Sequence, residues 1–144
     1  MAHIDFCMNG GRDRVQRAFP DEFEALSKTH TARVVSAWRP LRTILKDPLA
    51  VMDAESLRSN VLQPYTLHLQ EPTERTSLVV PRERHRWYYI NEQTPQELLL
   101  IALYDSEAAG QPTTAPHASF FDEERMENDT RESIEVRLCL FWER

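Results

Sequence analysis

A histidine and an aspartate stand two residues apart at the start of the chain, His3-Ile4-Asp5, and another histidine, His117, follows a proline far downstream. In an extended strand, residues two apart point to the same side, so one strand can offer an imidazole and a carboxylate together. A second imidazole from a strand distant in sequence would complete a 2-His-1-carboxylate set. Such a set binds Fe(II) on one face and leaves the opposite face open. Beyond His117 comes Arg131-Glu132-Ser133, another pair that would share a strand face. A guanidinium beside a hydroxyl suits a carboxylate co-substrate, through a bidentate fork and one further donor. These pieces fit Fe(II)- and 2-oxoglutarate-dependent oxygenation, with no catalytic side chain beyond the metal centre.

Each residue also has a plainer reading. With 5 His and 23 acidic residues in the chain, a His-x-Asp can arise by chance. His117 could be an ordinary loop histidine, and Arg131 could form an exposed ion pair with Glu132 or Asp129. His85 is an alternative third ligand. His117 is preferred because the Arg-x-Ser follows it at a separation that suits one loop and the next strand. Arg39, between Trp38 and Pro40, is an alternative anchor for the co-substrate; its plain reading is a guanidinium stacked on Trp38. Trp87, Tyr88 and Tyr89 could wall a substrate pocket, although three neighbouring aromatics in a strand more often belong to core or sheet surface. His30 and His68 have no partner pattern.

The elements that must position these residues are mostly strands. Asn9-Gly10-Gly11 is a turn signal. From Arg12 to Lys28, Val15, Ala18, Phe19, Phe23 and Leu26 recur at helical spacing, and Pro20-Asp21-Glu22 reads as a fresh start, giving two short helices or one kinked. Strands are then expected at 33–38, 49–52, 61–70, 77–80, 87–90, 98–104, 118–121 and 134–142, with a loop or helical turn at 54–57. Residues 95–97 could open a helical turn, and 110–116 and 122–130 read as polar loops. In the last strand Ile134, Val136, Leu138, Leu140 and Trp142 face one way, while Glu135 and Arg137 face the other. Many short strands with turns between them predict a sandwich or barrel. The expected fold is mainly β with one or two short N-terminal helices, in one domain over residues 1–144.

Composition excludes several classes. A chain of 144 residues with 41% hydrophobic and 28% charged residues suits one globular domain. A net charge of −6 argues against a nucleic-acid partner. Arg82, Arg84, His85 and Arg86 form a local basic cluster, read as a solvated loop that could also steer an acidic substrate. Cys7 and Cys139 lack metal-ligand spacing and read as apolar strand positions in a reducing compartment. The longest apolar run, Leu98 to Leu103, is too short to span a bilayer, so no membrane partner and a cytoplasmic location are expected. With only 3 Gly, the chain has no P-loop, dinucleotide fingerprint or Gly-x-Ser-x-Gly elbow.

Several blocks, in order, resemble a known family. They are Ala32-Arg33-Val34-Val35-Ser36-Ala37-Trp38-Arg39-Pro40-Leu41, Asp47-Pro48-Leu49-Ala50-Val51-Met52-Asp53-Ala54, His85-Arg86-Trp87-Tyr88-Tyr89 and Glu97-Leu98-Leu99-Leu100 with Tyr104-Asp105-Ser106. The last runs from Pro116-His117-Ala118-Ser119-Phe120 to Arg131-Glu132-Ser133-Ile134-Glu135-Val136-Arg137. Together they resemble the gibberellin desaturase/AsaB-like hydroxylases of fungal secondary metabolism, related also to a bacterial cephamycin-pathway protein. The resemblance covers nearly the whole chain and implies a partial double-stranded β-helix, the jelly roll of Fe(II)/2-oxoglutarate oxygenases. It implies hydroxylation or desaturation of a small-molecule secondary metabolite. Its expected ligands are Fe(II) at His3, Asp5 and His117, and 2-oxoglutarate at Arg131 and Ser133, or at Arg39. Relatives carry a long segment before their His-x-Asp, so the chain reads as a form lacking that N-terminal part. Two other classes stay open. One is an inactive or partner-dependent interaction subunit, in which a dimer or another chain completes the sheet. The other is a metal-free barrel that binds a small acid through Arg39 and Arg131.

Overall fold

The computed structural model describes residues 1–57, 61–67, 74–108, 114–123 and 130–144. His68 and Asp129, residues 68–70 of the expected strand 61–70, and parts of the loops expected at 110–116 and 122–130 lie outside the described residues. The chain runs β1 (His3–Ile4), α1 (Met8–Ala18), α2 (Phe23–Thr29), β2 (His30–Pro40), β3 (Leu49–Met52), a 3-10 turn (Ala54–Ser56) and β4 (Leu62–Leu67). It continues with β5 (Glu74–Val79), β6 (Trp87–Tyr89), β7 (Leu99–Asp105), β8 (His117–Ser119) and β9 (Ser133–Glu143). Among the described residues, no helix is long and apolar enough to cross a membrane.

The strands form two antiparallel sheets, one ordered β4-β5-β1-β8-β3-β6 and the other β7-β2-β9. Both sheets contribute to one core. Val34 and Trp38 of β2 and Ile101 and Leu103 of β7 join Leu49 of β3, Phe6 and Val15 there. Alternation along β2 explains this, because Val34, Ser36 and Trp38 point inward while Arg33 and Arg39 are exposed. β1 has only two residues, yet it is held on both sides. His3 pairs with Leu78 of β5 and with His117 of β8, and Val79 donates its N–H to the Ala2 carbonyl at 3.0 Å. Pairing on both edges is what holds so short a strand in place.

One expectation needs correction, and another is met by a single turn. Asn9-Gly10-Gly11 is not a turn but lies inside α1. Both glycines are buried, and a Cβ on Gly11 would run into the Tyr104 side chain. Close packing of α1 on β7 thus overrides the local turn preference of Gly-Gly. Residues 95–97 form a single turn and no helix, closed by the Glu97 N–H on the Thr94 carbonyl and the Thr94 N–H on the Glu97 carboxylate.

The final strand shows which way its alternation points. Its apolar row lies outward, with Val136 51% and Trp142 40% exposed. Its other face carries Glu135, Arg137, Cys139 and Phe141, opposite Trp38, Ser36, Val34 and Ala32 of β2. Cys139 and Phe141 pack on the core, while Glu135 and Arg137 reach polar groups between the sheets. The space between the sheets is therefore partly polar at this end. The candidate site lies there.

Candidate metal centre

β1 carries His3, with Asp5 just beyond it, and the intervening Ile4 is buried on the opposite side. β8 lies antiparallel to β1 with His117 directly opposite His3, so the two rings sit with centroids 4.7 Å apart. His3, Asp5 and His117 offer ligand atoms that all lie within 4.8 Å of one another. Asp5 Oδ1 is 3.4 Å from His3 Nε2 and 3.2 Å from His117 Nε2. Each histidine keeps its other nitrogen beside a backbone carbonyl. His3 Nδ1 is 3.1 Å from the Met1 oxygen, and His117 Nδ1 is 3.1 Å from the Ala115 oxygen.

That arrangement fits a metal ion. A proton on each Nδ1 satisfies the carbonyl and leaves both Nε2 lone pairs facing a carboxylate oxygen. Three electron-rich atoms then converge, and a cation between them relieves their repulsion. Without a metal, protons on Nε2 take the place of the cation. Burial pushes the Asp5 carboxyl up, but hydrogen bonds from His117 and His3, with the charges of His117 and Arg137, outweigh it and hold the group well below the usual carboxylate range. Asp5 in turn raises the His3 pKa, chiefly by hydrogen bonding and against the effect of burial. The Asp5 side chain is 9% exposed and that of His3 38%, so the cluster opens to solvent on the His3 side.

Two arginines from the last segment reach this region. Arg137 donates from Nη2 to Asp5 Oδ2 at 2.9 Å, on the oxygen that does not face the histidines. Arg131 donates from Nη1 to the Asp47 carbonyl at 2.9 Å and to the Ser119 hydroxyl, with its guanidinium carbon 5.7 Å from the centre of the Trp38 ring. Asp47 has a φ of 50°, a left-handed conformation that Asp tolerates better than most residues. Lys46, Asp47, Ser119, Thr130 and Arg131 line an open pocket of about 300 Å³. Ser119 lies two residues beyond His117 on β8, so one strand links this pocket to the metal cluster, about 7 Å along the strand.

The fold groups some of the expected residues and separates others. His3, Asp5 and His117 come together, and His117 rather than His85 completes the group. The hydroxyl on Arg131 is that of Ser119, whereas Ser133 is exposed opposite Pro40 at the start of β9. Arg39 lies on the outer face of β2, away from Trp38, and the guanidinium over Trp38 is that of Arg131. Trp87, Tyr88 and Tyr89 are exposed on the edge strand β6. In the basic cluster, Arg86 is engaged by Asp53 at 2.7 Å. Arg137 and Ser119 are the residues that sequence reasoning misses. For Arg137 the signal was present, because alternation sets it on the face of β9 opposite the apolar row.

A family model described as an oxidoreductase/YMDC permease-like domain matches residues 1–141. The hydroxylase/desaturase efuI of Hormonema carpetanum is 32% identical over 98% of this chain and 51% of its own length. The hydroxylase/desaturase asaB of Aspergillus flavus is 32% identical over 85% of this chain and 60% of its own length. Among solved structures, the iron and alpha-ketoglutarate-dependent endoperoxidase NvfI superposes with a TM-score of 0.84 and 27% identity, covering 99% of this chain and 53% of NvfI. The chain thus spans about half the length of these relatives. The likeness to NvfI bears out a jelly-roll fold, mainly β with two helices. The chain belongs to the oxidoreductase/YMDC permease-like domain family and is a homologue of the fungal hydroxylase/desaturases, the gibberellin-cluster GA4 desaturase and asaB among them.

Proposed function

We propose that this chain forms the metal-bearing part of an Fe(II)- and 2-oxoglutarate-dependent oxygenase that hydroxylates or desaturates a small secondary metabolite. The observation that carries this reading is the convergence of His3, Asp5 and His117, with Arg131 held by Ser119, two residues beyond His117 on β8. His3, Asp5 and His117 would hold the metal, and Arg131, with Ser119 beside it, would receive the far carboxylate of 2-oxoglutarate. When bound, iron and 2-oxoglutarate would supply the chemistry by which dioxygen, the oxidant, removes hydrogen from an unactivated C–H bond while 2-oxoglutarate is itself oxidised. The chain's own residues orient the ligands, and Lys46 and Arg131 draw a dianion into the pocket. The names of relatives such as the alpha-ketoglutarate-dependent dioxygenase phiK support the same activity. A cytoplasmic location belongs to this reading and accords with the free Cys7 and Cys139.

Arg131→Gln tests it. With the metal loaded, the substitution is expected to weaken 2-oxoglutarate binding at least about tenfold, the cost of losing one charge-assisted bidentate contact. Metal affinity should stay unchanged. Calorimetric titration reads both, and unaltered 2-oxoglutarate affinity would remove Arg131 from the proposed site.

One observation favours a second reading, a partner-dependent subunit. Ile134, Val136, Leu138, Leu140 and Trp142 of β9, with Leu100 of β7, leave much of the outer face of the three-stranded sheet apolar and exposed, between Arg33 and Arg39 of β2. Contiguous apolar surface of this kind ordinarily marks an interface, and a second chain or a further protein segment over this sheet would cover it. Light scattering after size exclusion separates the cases. A monomer that binds metal and 2-oxoglutarate supports the enzyme alone, and a stable complex that binds neither supports the subunit.

A further inference from the structure

We infer that Arg137 is a positioning residue that commits one oxygen of Asp5, so that Asp5 can serve the metal through the other oxygen only. The inference rests on the metal site proposed above. Asp5 Oδ2 accepts from Arg137 Nη2 at 2.9 Å, while Oδ1 faces His3 and His117. The guanidinium is itself fixed from two sides. Its Nε donates to Glu135 Oε1 at 3.1 Å, and the same oxygen accepts from the buried Ser36 hydroxyl at 2.8 Å. Its carbon lies 5.2 Å from the centre of the Phe6 ring, so the planar group rests on an apolar floor. A chain of contacts therefore runs from Ser36 on β2 through Glu135 and Arg137 on β9 to the carboxylate after β1.

The consequence is a matter of coordination number. A carboxylate can bind a metal through one oxygen or two. In a six-coordinate site, two imidazoles and one carboxylate oxygen leave three positions open, whereas a chelating carboxylate leaves two. A 2-oxo acid takes two positions, and a third must stay open if dioxygen is to bind as well. Arg137 keeps that third position by holding Oδ2 in a hydrogen bond, and it does so without touching the metal or the co-substrate.

The test uses Mn(II) as the metal and oxalate as a chelating probe, because oxalate lacks the far carboxylate that Arg131 would bind. Free Mn(II), read by electron paramagnetic resonance, gives the metal affinity, and calorimetry gives oxalate affinity on the Mn(II)-loaded protein. Arg137→Met keeps an unbranched apolar stem and removes the guanidinium donor. We expect Mn(II) binding to hold or tighten, since Asp5 gains a free oxygen. Oxalate binding should weaken about tenfold, because a chelating Asp5 competes for the positions that oxalate takes. Glu135→Gln, which loosens the guanidinium while keeping it, should shift oxalate in the same direction by less, and it carries the test if Arg137→Met does not fold. Parallel weakening of Mn(II) and oxalate would mark Arg137 as merely structural, and unchanged oxalate affinity would likewise overturn the inference. Failure of the wild-type chain to bind Mn(II) would overturn the metal site itself, and this inference with it.

Discussion

Asp5→Ala is expected to abolish metal binding, with a loss beyond the roughly 10–100-fold that removal of an outer-shell partner costs. The reason is not only the missing ligand. Asp5 is the atom group on which His3, His117 and Arg137 all converge. Without the carboxylate, the Arg137 guanidinium faces two imidazoles with no anion between them, and a dication entering that space meets a positive charge instead of a negative one. A histidine substitution lacks this second effect, so Asp5→Ala should be the most damaging single change at the site. Equilibrium dialysis against Fe(II) under anaerobic conditions gives the result directly, and affinity within tenfold of wild type would show that Asp5 is not a ligand.

Phe6→Ala is expected to lower the stability of the fold by about 3–5 kcal/mol, the usual range for truncating a buried aromatic ring. Phe6 is 1% exposed and belongs to the core shared by the two sheets. Its ring also supports the Arg137 guanidinium, so the truncation opens a cavity directly beneath the residue that holds Asp5. Urea unfolding followed by tryptophan fluorescence measures the change, through a lowered midpoint at unaltered slope. A loss under about 1 kcal/mol would mean that the core does not depend on this ring as its burial implies.

These two residues show what a sequence can and cannot convey. The grouping of His3 with Asp5 follows from the two-residue period of a strand, which needs no knowledge of the fold. The positions of β3 and β9 were likewise legible, because short β-branched or alternating runs stand between turn residues. The start of α1 was not. Gly10 and Gly11 carry a turn signal, and the close approach of Tyr104 is what gives Gly11 its place in the helix. The sense of β9 was half legible. Alternation separates Val136 and Trp142 from Glu135 and Arg137, but the habit of burying the apolar face points the wrong way here. The interior at this end holds polar groups around Asp5, so the charged face turns in and the apolar face turns out. Ser119 was missed for a related reason. Its partner, Arg131, is brought to it by the pairing of strands distant in sequence, and neither residue's spacing records that contact.

The most direct measurement is an anaerobic titration of the wild-type chain with Fe(II) in the presence of 2-oxoglutarate, followed by visible absorption. Both ligands must be held together for a weak charge-transfer band of the iron chelate to appear, so the band reports the whole proposed site at once. The expected result is a band that saturates at one iron per chain. A folded protein that gives no band would contradict the oxygenase reading and leave the partner-dependent subunit as the better account.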